Sequence, residues 1–257
     1  LFGILLFYSR SKSRRITAIN LARCLPEADP RGNHRLIQDS LIATCQTALE
    51  TPAVWSKNSK HLLTWIDRQY GENYLLTALA SDQGVLLLVP HIGNWELYNA
   101  FYSETVGQLT ALFKPPKQKA MARIIERVRM RYGNQMVPTT PRGVARLFKT
   151  LKEGGAVLVL PDQVPETGLF VSFFDQPAFT DRLAHRLAIK SGATPILVAL
   201  IRNERGLFDV HYQSVPDLAQ DDEILALTAL NAAIEDLVRK YPTQYQWEYK
   251  RFKKQPD

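Results

Sequence analysis

The 257-residue sequence has only two cysteines, no Gly/Ser-rich linker, no internal repeat and no apolar run long enough to cross a bilayer. Cys24 and Cys45 stand neither in a CxxC pair nor beside histidines at zinc-ligand spacing. The sequence therefore predicts no disulfide framework and no zinc site, and we expect both thiols to be packed in a reducing compartment. The missing linkers and repeats favour a single globular domain.

The N-terminal residues differ in character from the rest of the chain. Residues 1–8 are apolar, and residues 10–15 carry four basic side chains and no acidic one. Eight residues cannot span a bilayer, which needs about 20, but basic residues behind an apolar segment mark its cytoplasmic side. We therefore expect residues 1–15 to be the end of an N-terminal membrane anchor with its basic flank, and residues 16–257 to form the single domain.

Acidic residues are outnumbered, with 25 Asp and Glu against 32 Lys and Arg, which gives a net charge of +7. Such a chain favours anionic partners, which include nucleic acid, anionic lipid head groups and acidic proteins. The sequence has no zinc-finger or RNA-recognition signature and no basic arm, so we expect no nucleic-acid partner.

Apolar periodicity predicts the fold. Residues 35–55 repeat apolar side chains at helical spacing, and from residue 85 onward short apolar runs alternate with amphipathic segments. We expect strands at residues 85–89, 109–113, 156–160, 169–174, 196–201 and 208–212, and helices at 95–104, 118–132, 141–153, 181–191 and 222–241. The alternation predicts an α/β fold with a mixed, largely parallel central sheet flanked by helices, behind a helical N-terminal lead-in.

A histidine and a carboxylate follow the first of these strands, in the hexapeptide His91-Ile92-Gly93-Asn94-Trp95-Glu96. Sites in open α/β sheets form beyond the carboxyl ends of strands. Asn94 can cap a helix that begins near Trp95, and the turn lets Glu96 reach the imidazole. A histidine held by a carboxylate can take a proton from a hydroxyl. The alternative is a histidine and a glutamate that only stabilise the turn and the helix dipole.

Other site signatures are missing. The sequence has no Gly-x-Ser-x-Gly elbow, no phosphate-binding Gly-x4-Gly-Lys loop, no Gly-x-Gly-x-x-Gly and no His-Glu-x-x-His. The sequence therefore does not indicate a serine hydrolase, a nucleotide-binding enzyme or a zinc protease.

Several stretches resemble one enzyme family. The segment from Pro90 to Glu96 resembles the first motif of the glycerolipid-type acyltransferases, and is most similar to the late acyltransferases of lipid A biosynthesis, the lauroyl and myristoyl transferases. The chain also resembles further blocks of the family, in the same order. These are residues 113–117, an arginine-ended helix, Leu160-Pro161-Asp162-Gln163, and residues 171–180, 195–198 and 241–253. The chain departs from the family at Asp175, where a glycine is usual.

The resemblance implies roles for particular residues. His91 would be the general base, oriented by Glu96, and Asp162 would orient a catalytic group or hold the acceptor. Arg131, with Arg129 as the second choice, would face a phosphate or the developing charge. Oxyanion donors would be either backbone amides around Gly93 or the Arg131 guanidinium. The remaining substrate-binding positions would be Asn94, Lys114, Arg129, Gln163 and Thr180, with Thr180 also capping the helix after it. No metal and no cofactor are implied.

The resemblance also implies the substrates and the location. The donor would be an acyl carrier protein thioester, or acyl-CoA, and the acceptor a hydroxyl on an acyl chain of a lipid A precursor, a phosphorylated glycolipid. The enzyme would lie on the cytoplasmic face of the bacterial inner membrane. Two alternatives stay open: acyl-CoA-dependent acylation of a phospholipid or a phosphatidylinositol mannoside, and a non-catalytic protein that binds anionic lipid at a membrane surface.

Overall fold

A computed structural model describes residues 2–26, 30–113, 123, 127, 128 and 132–256. The helices are α1 Phe2–Tyr8, α2 Lys12–Cys24, α3 Pro30–Ser56, α4 Ser59–Leu63, α5 Glu72–Leu79, α6 Trp95–Thr105, α7 Pro141–Lys152, α8 Leu183–Ser191 and α9 Glu223–Lys240. The strands are β1 Ile66–Tyr70, β2 Val85–Leu88, β3 Leu109–Phe113, β4 Gln135–Pro138, β5 Ala156–Val159, β6 Gly168–Phe173, β7 Gln176–Asp181, β8 Thr194–Arg202 and β9 Phe208–Ser214.

Seven strands form the central sheet in the order β1-β9-β8-β2-β5-β3-β4. The strands from β8 to β4 run parallel to one another, and β9 is antiparallel to β8 and parallel to β1. The prediction of a mixed, largely parallel sheet flanked by helices is confirmed. The strands β6 and β7 form a separate hairpin.

The core lies on both faces of the sheet. Successive residues of β2 are all buried and alternate between two hydrophobic clusters, because side chains of a strand point to opposite faces in turn. Leu86 and Leu88 pack with α2, α7, α8 and α9, whereas Val85 and Leu87 pack with α4, α5 and α6. Burial on both faces explains why the central strands read as continuous apolar runs.

The N-terminal helices form the expected lead-in. Helix α1 packs on α3, where the Phe7 ring is buried and lies 5.8 Å from the ring of His34. Within the described residues, no helix combines the length and the apolar character that crossing a membrane requires. The anchor at residues 1–15 stays a prediction.

Three strands were missing from the sequence prediction. β1 and β4 are short strands at the two edges of the sheet, and their side chains are largely polar or exposed, so the apolar signal is weak. β7 covers the residues that were expected to lead directly into a helix, and α8 begins only at Leu183, with Arg182 at its N-cap. The helix expected at 118–132 falls mostly outside the described residues.

Candidate active site

Strand register brings two distant loops together. β2 and β5 are neighbouring parallel strands in which Leu88 pairs with Val159. His91 follows Leu88 by three residues, and Asp162 follows Val159 by three residues. The two side chains therefore leave the carboxyl edge of the sheet side by side, where sites of open α/β sheets form.

Asp162 holds His91 at two points. The Asp162 Oδ1 atom lies 2.7 Å from Nδ1 of His91, and Oδ2 accepts a 2.8 Å hydrogen bond from the His91 backbone amide. The Asp162 side chain is 3% exposed and that of His91 is 12% exposed. A hydrogen on Nδ1 donates to the carboxylate, so the Nε2 atom keeps its lone pair for a proton.

The second ring nitrogen meets an amide. Nε2 of His91 lies 3.1 Å from Nε2 of Gln163, whose amide also donates to Oε1 of Gln246 at 3.4 Å. The Trp95 ring packs edge-on against the imidazole with 5.0 Å between ring centroids. These contacts give the imidazole one orientation, with Nε2 directed toward polar side chains.

The contact with His91 favours the ionised form of Asp162. Burial raises the pKa of this carboxyl, but the charge of His91 and its two hydrogen bonds outweigh burial and leave the pKa below its usual value. Behind it lie the phenol of Tyr245 and the guanidinium of Arg251, whose side chain is 3% exposed. Burial raises the pKa of the Tyr245 phenol well above its usual value, so this group stays neutral.

Gly93 makes the turn after β2 possible. Its φ is +60°, and a side-chain carbon added there would overlap the carbonyl oxygen of Leu200. The Gly93 amide donates to Gln244 O at 3.0 Å and the Asn94 amide to Leu200 O at 2.9 Å. These bonds tie the turn to β8 and to the C-terminal segment. They also engage the Gly93 and Asn94 amides, so in this conformation these two amides are not free to donate to an oxyanion.

Asn94 stabilises the turn. It is the N-cap of α6, as expected, and its Oδ1 accepts from the Leu97 amide at 3.2 Å. Its Nδ2 donates to Oε2 of Glu50 at 2.9 Å, and Glu50 is also paired with Arg202. The side chain is fully buried and bonded at both ends. These contacts give Asn94 a structural role, and its assignment to substrate binding stays a prediction.

Glu96 lies in the first turn of α6, as expected, and its Oε2 accepts a hydrogen bond from Nε1 of Trp55 at 3.4 Å. It lines a small cavity together with Trp95 and Leu112. The carboxylate that occupies Nδ1 of His91 belongs to Asp162. The orienting contact predicted for Glu96 is therefore made by Asp162, and Glu96 stays a candidate for another role in the same cleft.

Thr180 lies in the interior. Its side chain is fully buried in β7, where the hydroxyl donates to Ala178 O and accepts from Arg251 at 2.9 Å and from Asn231 at 3.2 Å. Its predicted roles as helix cap and substrate ligand are wrong, because β7 extends past it and its hydroxyl faces buried partners. Three other candidates, Lys114, Arg129 and Arg131, lie outside the described residues.

The C-terminal segment contributes residues that sequence reasoning did not assign. Gln246 donates its backbone amide to His91 O at 3.0 Å, and Glu248 accepts from the Thr44 hydroxyl at 3.1 Å. Burial raises the pKa of the Glu248 carboxyl. The only signal for these positions was the resemblance of residues 241–253 to a terminal block, to which no chemical role was attached.

A wide groove of about 880 Å³ runs between α7 and α8. Arg182, Arg186 and Lys190 stand four positions apart on its α8 side, hence on one face of that helix. Glu223 pairs with Arg182 at 2.7 Å and lies 3.9 Å from Arg186, so it offsets part of this charge. The other groove residues include the acidic Glu166 and Asp181 and the apolar Leu112, Val144 and Phe148.

A histidine with a buried carboxylate on Nδ1, set at the carboxyl edge of an α/β sheet, has the geometry needed to take a proton from a hydroxyl. The chain belongs to the bacterial lipid A biosynthesis acyltransferases, a family that matches residues 1–254. It is an O-acyltransferase, and the resemblance stated from the motifs is confirmed.

Individual relatives are distant but cover most of the chain. The lipid A biosynthesis palmitoleoyltransferase of Escherichia coli (strain K12) is 26% identical over 258 residues, which is 97% of this chain and 81% of that protein. The lauroyltransferase of the same organism is 24% identical over 251 residues, or 95% and 80%. A phosphatidylinositol mannoside acyltransferase of Mycobacterium tuberculosis (strain CDC 1551 / Oshkosh) is 26% identical over 143 residues, 53% of this chain and 45% of that protein.

Proposed function

We propose that this enzyme moves a fatty acyl chain from an acyl carrier protein thioester to a hydroxyl of a lipid A precursor. His91 is the general base and Asp162 orients it. The observation that carries the proposal is the 2.7 Å contact between Nδ1 of His91 and the buried Asp162 carboxylate, which leaves Nε2 as the proton acceptor. General-base assistance of this kind contributes about 10²–10⁴ in rate.

The transfer needs one proton acceptor and no enzyme nucleophile. Nε2 of His91 takes the hydroxyl proton as the acceptor oxygen attacks the thioester carbonyl carbon. A carbon–oxygen bond forms, and the carbonyl becomes an oxyanion. When the oxyanion collapses, the carbon–sulfur bond breaks and the imidazolium returns the proton to the thiolate. Asp162 stabilises the imidazolium between the two proton transfers.

We assign the Gln163 amide to binding of the acceptor. It lies 3.1 Å from the nitrogen that must receive the hydroxyl proton, so the hydroxyl has to displace it or bind beside it. With the amides of Gly93 and Asn94 engaged elsewhere, we assign the oxyanion contact to the guanidinium of Arg131, with Arg129 as the second choice. Lys114 is assigned to the phosphorylated part of a substrate.

The carrier-protein donor is supported by charge. The net charge of +7 and the basic side chains of the groove between α7 and α8 attract an acidic protein. The groove and the small cavity that contains Trp95 and Glu96 have Leu112 as a common lining residue, which supports entry of the thioester arm from the side of the groove.

The lipid acceptor and the membrane location are supported by the N-terminal helices. Phe2, Leu5 and Leu49 are 63%, 58% and 64% exposed and lie together between α1 and α3. Such an apolar patch suits contact with the cytoplasmic face of the inner membrane. Relatives in lipid A biosynthesis, such as the palmitoleoyltransferase of Escherichia coli, support a lipid A precursor as the acceptor.

The test is a transfer assay with His91→Ala, and with His61→Ala as the matched control at an exposed histidine. We expect His91→Ala to lower kcat at least about 10²-fold and His61→Ala to leave it unchanged. Each protein is offered acyl carrier protein or CoA thioesters with either a lipid A precursor or a phosphatidylinositol mannoside. Unchanged activity of His91→Ala contradicts the mechanism, and a preference for acyl-CoA with the mannoside contradicts the substrates.

A further inference from the structure

A second cavity of about 220 Å³ opens beside the catalytic histidine, between α3 and the C-terminal segment. Two of its walls, Trp95 and Gln246, also contact His91: the indole packs on the imidazole, and the Gln246 amide binds the His91 carbonyl. A group bound in this cavity is therefore separated from the imidazole only by shared side chains.

The lining of this cavity is rich in hydrogen-bonding groups. Thr44 and Thr51 present hydroxyl oxygens from one side of α3, and Glu248 presents a half-buried carboxylate from the opposite wall. The Thr51 hydroxyl donates to Thr47 O at 2.8 Å and keeps its oxygen as an acceptor. The Thr44 hydroxyl donates to Glu248 at 3.1 Å, and Gln246 adds an amide. Hydroxyls and amides both donate and accept, while the carboxylate accepts only. This set matches the hydroxyls of a sugar, which also both donate and accept.

The remaining wall is aromatic. Trp95 is half-buried and lines the cavity. One side of a sugar ring carries mainly C–H groups, and an indole face offers apolar area for that side to pack on. Pockets for drug-sized ligands have about 300–1,000 Å³, so a cavity of about 220 Å³ suits a single ring.

An apolar groove continues from the polar cavity. It has about 500 Å³, lies between α1 and α3, and shares Ala48 with the polar cavity. Its other lining side chains are Phe2, Leu5, Leu6, Ser9, Cys45 and Leu49. A molecule with a sugar ring in the polar cavity therefore has an apolar groove directly beside it for an attached hydrocarbon chain.

We propose that the cavity walled by Thr44, Trp95 and Glu248 binds a sugar ring of the acceptor, and that the groove between α1 and α3 takes one acyl chain of the same glycolipid. The proposal rests on the proposed function, since it names where the acceptor of that reaction is held. It makes Glu248 and Thr44 determinants of acceptor choice, separate from the base that removes the proton.

The kinetic test compares two acceptors of the same chemistry. One is a lipid A precursor, and the other is a sugar-free ester of a hydroxylated fatty acid. Glu248→Gln and Thr44→Val each remove part of the sugar contact, and we expect the ratio of kcat/KM for the glycolipid to that for the ester to fall about tenfold. Glu153→Gln, the same change at an exposed helix end, is expected to leave the ratio unchanged.

Equal losses with the two acceptors contradict the proposal, because they mean that the residues only support His91. Unchanged kcat/KM values for both acceptors contradict the proposal as well. Thermal unfolding shows whether each variant is folded. If Glu248→Gln fails to fold, Thr44→Val still tests the proposal, because it removes one hydroxyl at nearly constant volume.

A binding measurement separates this proposal from the proposed function. Saturation-transfer NMR of the intact protein with N-acetylglucosamine is expected to show contact in the wild type and in His91→Ala, and a weaker signal in Thr44→Val. Absence of contact in the wild type, or an equal signal in Thr44→Val, overturns the sugar cavity whatever the transfer assay gives. If the wild-type protein transfers no acyl chain to any acceptor, that result instead counts against the proposed function.

Discussion

Nδ1 of His91 lies 2.7 Å from Oδ1 of Asp162, although 71 positions separate the two residues in the sequence. The pairing of β2 with β5 creates this contact, since both residues stand three positions beyond paired strand residues. The histidine is thus oriented by a carboxylate from the neighbouring strand, at the same edge of the sheet.

Replacing the two candidate carboxylates separates their roles. We expect Asp162→Asn to lower kcat by about 10²–10⁴ with little change in KM, because the amide no longer stabilises the imidazolium. Glu96→Gln is the matched change at the carboxylate in the first turn of α6, and we expect a smaller loss of kcat. Steady-state assays at saturating acceptor measure both. A loss for Glu96→Gln as large as that for Asp162→Asn would assign the orienting role to Glu96.

The pH dependence of stability reports the same contact. The folded-state pKa of Asp162 is lowered by His91, so its ionised form stabilises the folded protein above the unfolded-state pKa of about 4. This stabilisation is lost as the pH falls through the folded-state pKa. We therefore expect Asp162→Asn to be less stable than wild type at pH 7, with the difference shrinking below about pH 4. Urea denaturation at a series of pH values measures it, and a constant difference would argue against the contact between Asp162 and His91.

Gly93→Ala tests the turn that carries His91. The positive φ and the overlap with Leu200 O together should cost about 2 kcal/mol or more. Gly192→Ala is the control, since Gly192 also has a positive φ, +74°, but nothing lies within 4 Å of an added carbon. We expect that variant to lose only about 1 kcal/mol. Equal unfolding free energies for the two variants would show that the contact with β8 is unimportant.

The β6–β7 hairpin stores backbone strain. Phe174 and Asp175 form its two-residue turn with φ of 52° and 54°, in the left-handed region that two-residue hairpin turns favour. Phe174 is held by burial and by its amide donating to Glu235 at 2.6 Å. We expect Asp175→Gly to raise the unfolding free energy by about 0.5–1 kcal/mol. Asp221→Gly, at an exposed position without positive φ, should not stabilise. Denaturant midpoints compare the two.

Charge reversal tests the donor surface. We expect Arg186→Glu combined with Lys190→Glu to raise KM for the carrier-protein thioester about tenfold or more at low salt and to change KM for acyl-CoA less, because only the protein donor covers the groove. Added salt should reduce the difference. Lys60→Glu, on the other face of the sheet, is the single-charge control. A tenfold change with acyl-CoA as well would indicate a nucleotide or phosphate site instead.

Local patterns in the sequence were sufficient for the central strands, for the position of His91 behind β2 and for the Asn94 cap of α6. Asn94 caps α6 and Thr140 caps α7. Capping can be predicted from local sequence, because a capping side chain accepts hydrogen bonds only from backbone amides in the first turn of its own helix. Edge strands β1 and β4 escaped detection because they bury too little apolar surface to leave a periodic signal.

Tertiary structure alone decided which partners these residues meet. The sequence placed Glu96 five positions from His91 and Asp162 71 positions away, and the order and register of β2 and β5 bring the distant carboxylate to Nδ1. Packing likewise turned Asn94 and Thr180 inward. Short-range spacing determines local geometry, whereas contacts between side chains at a sheet edge depend on strand order, which residues far apart in the chain determine together.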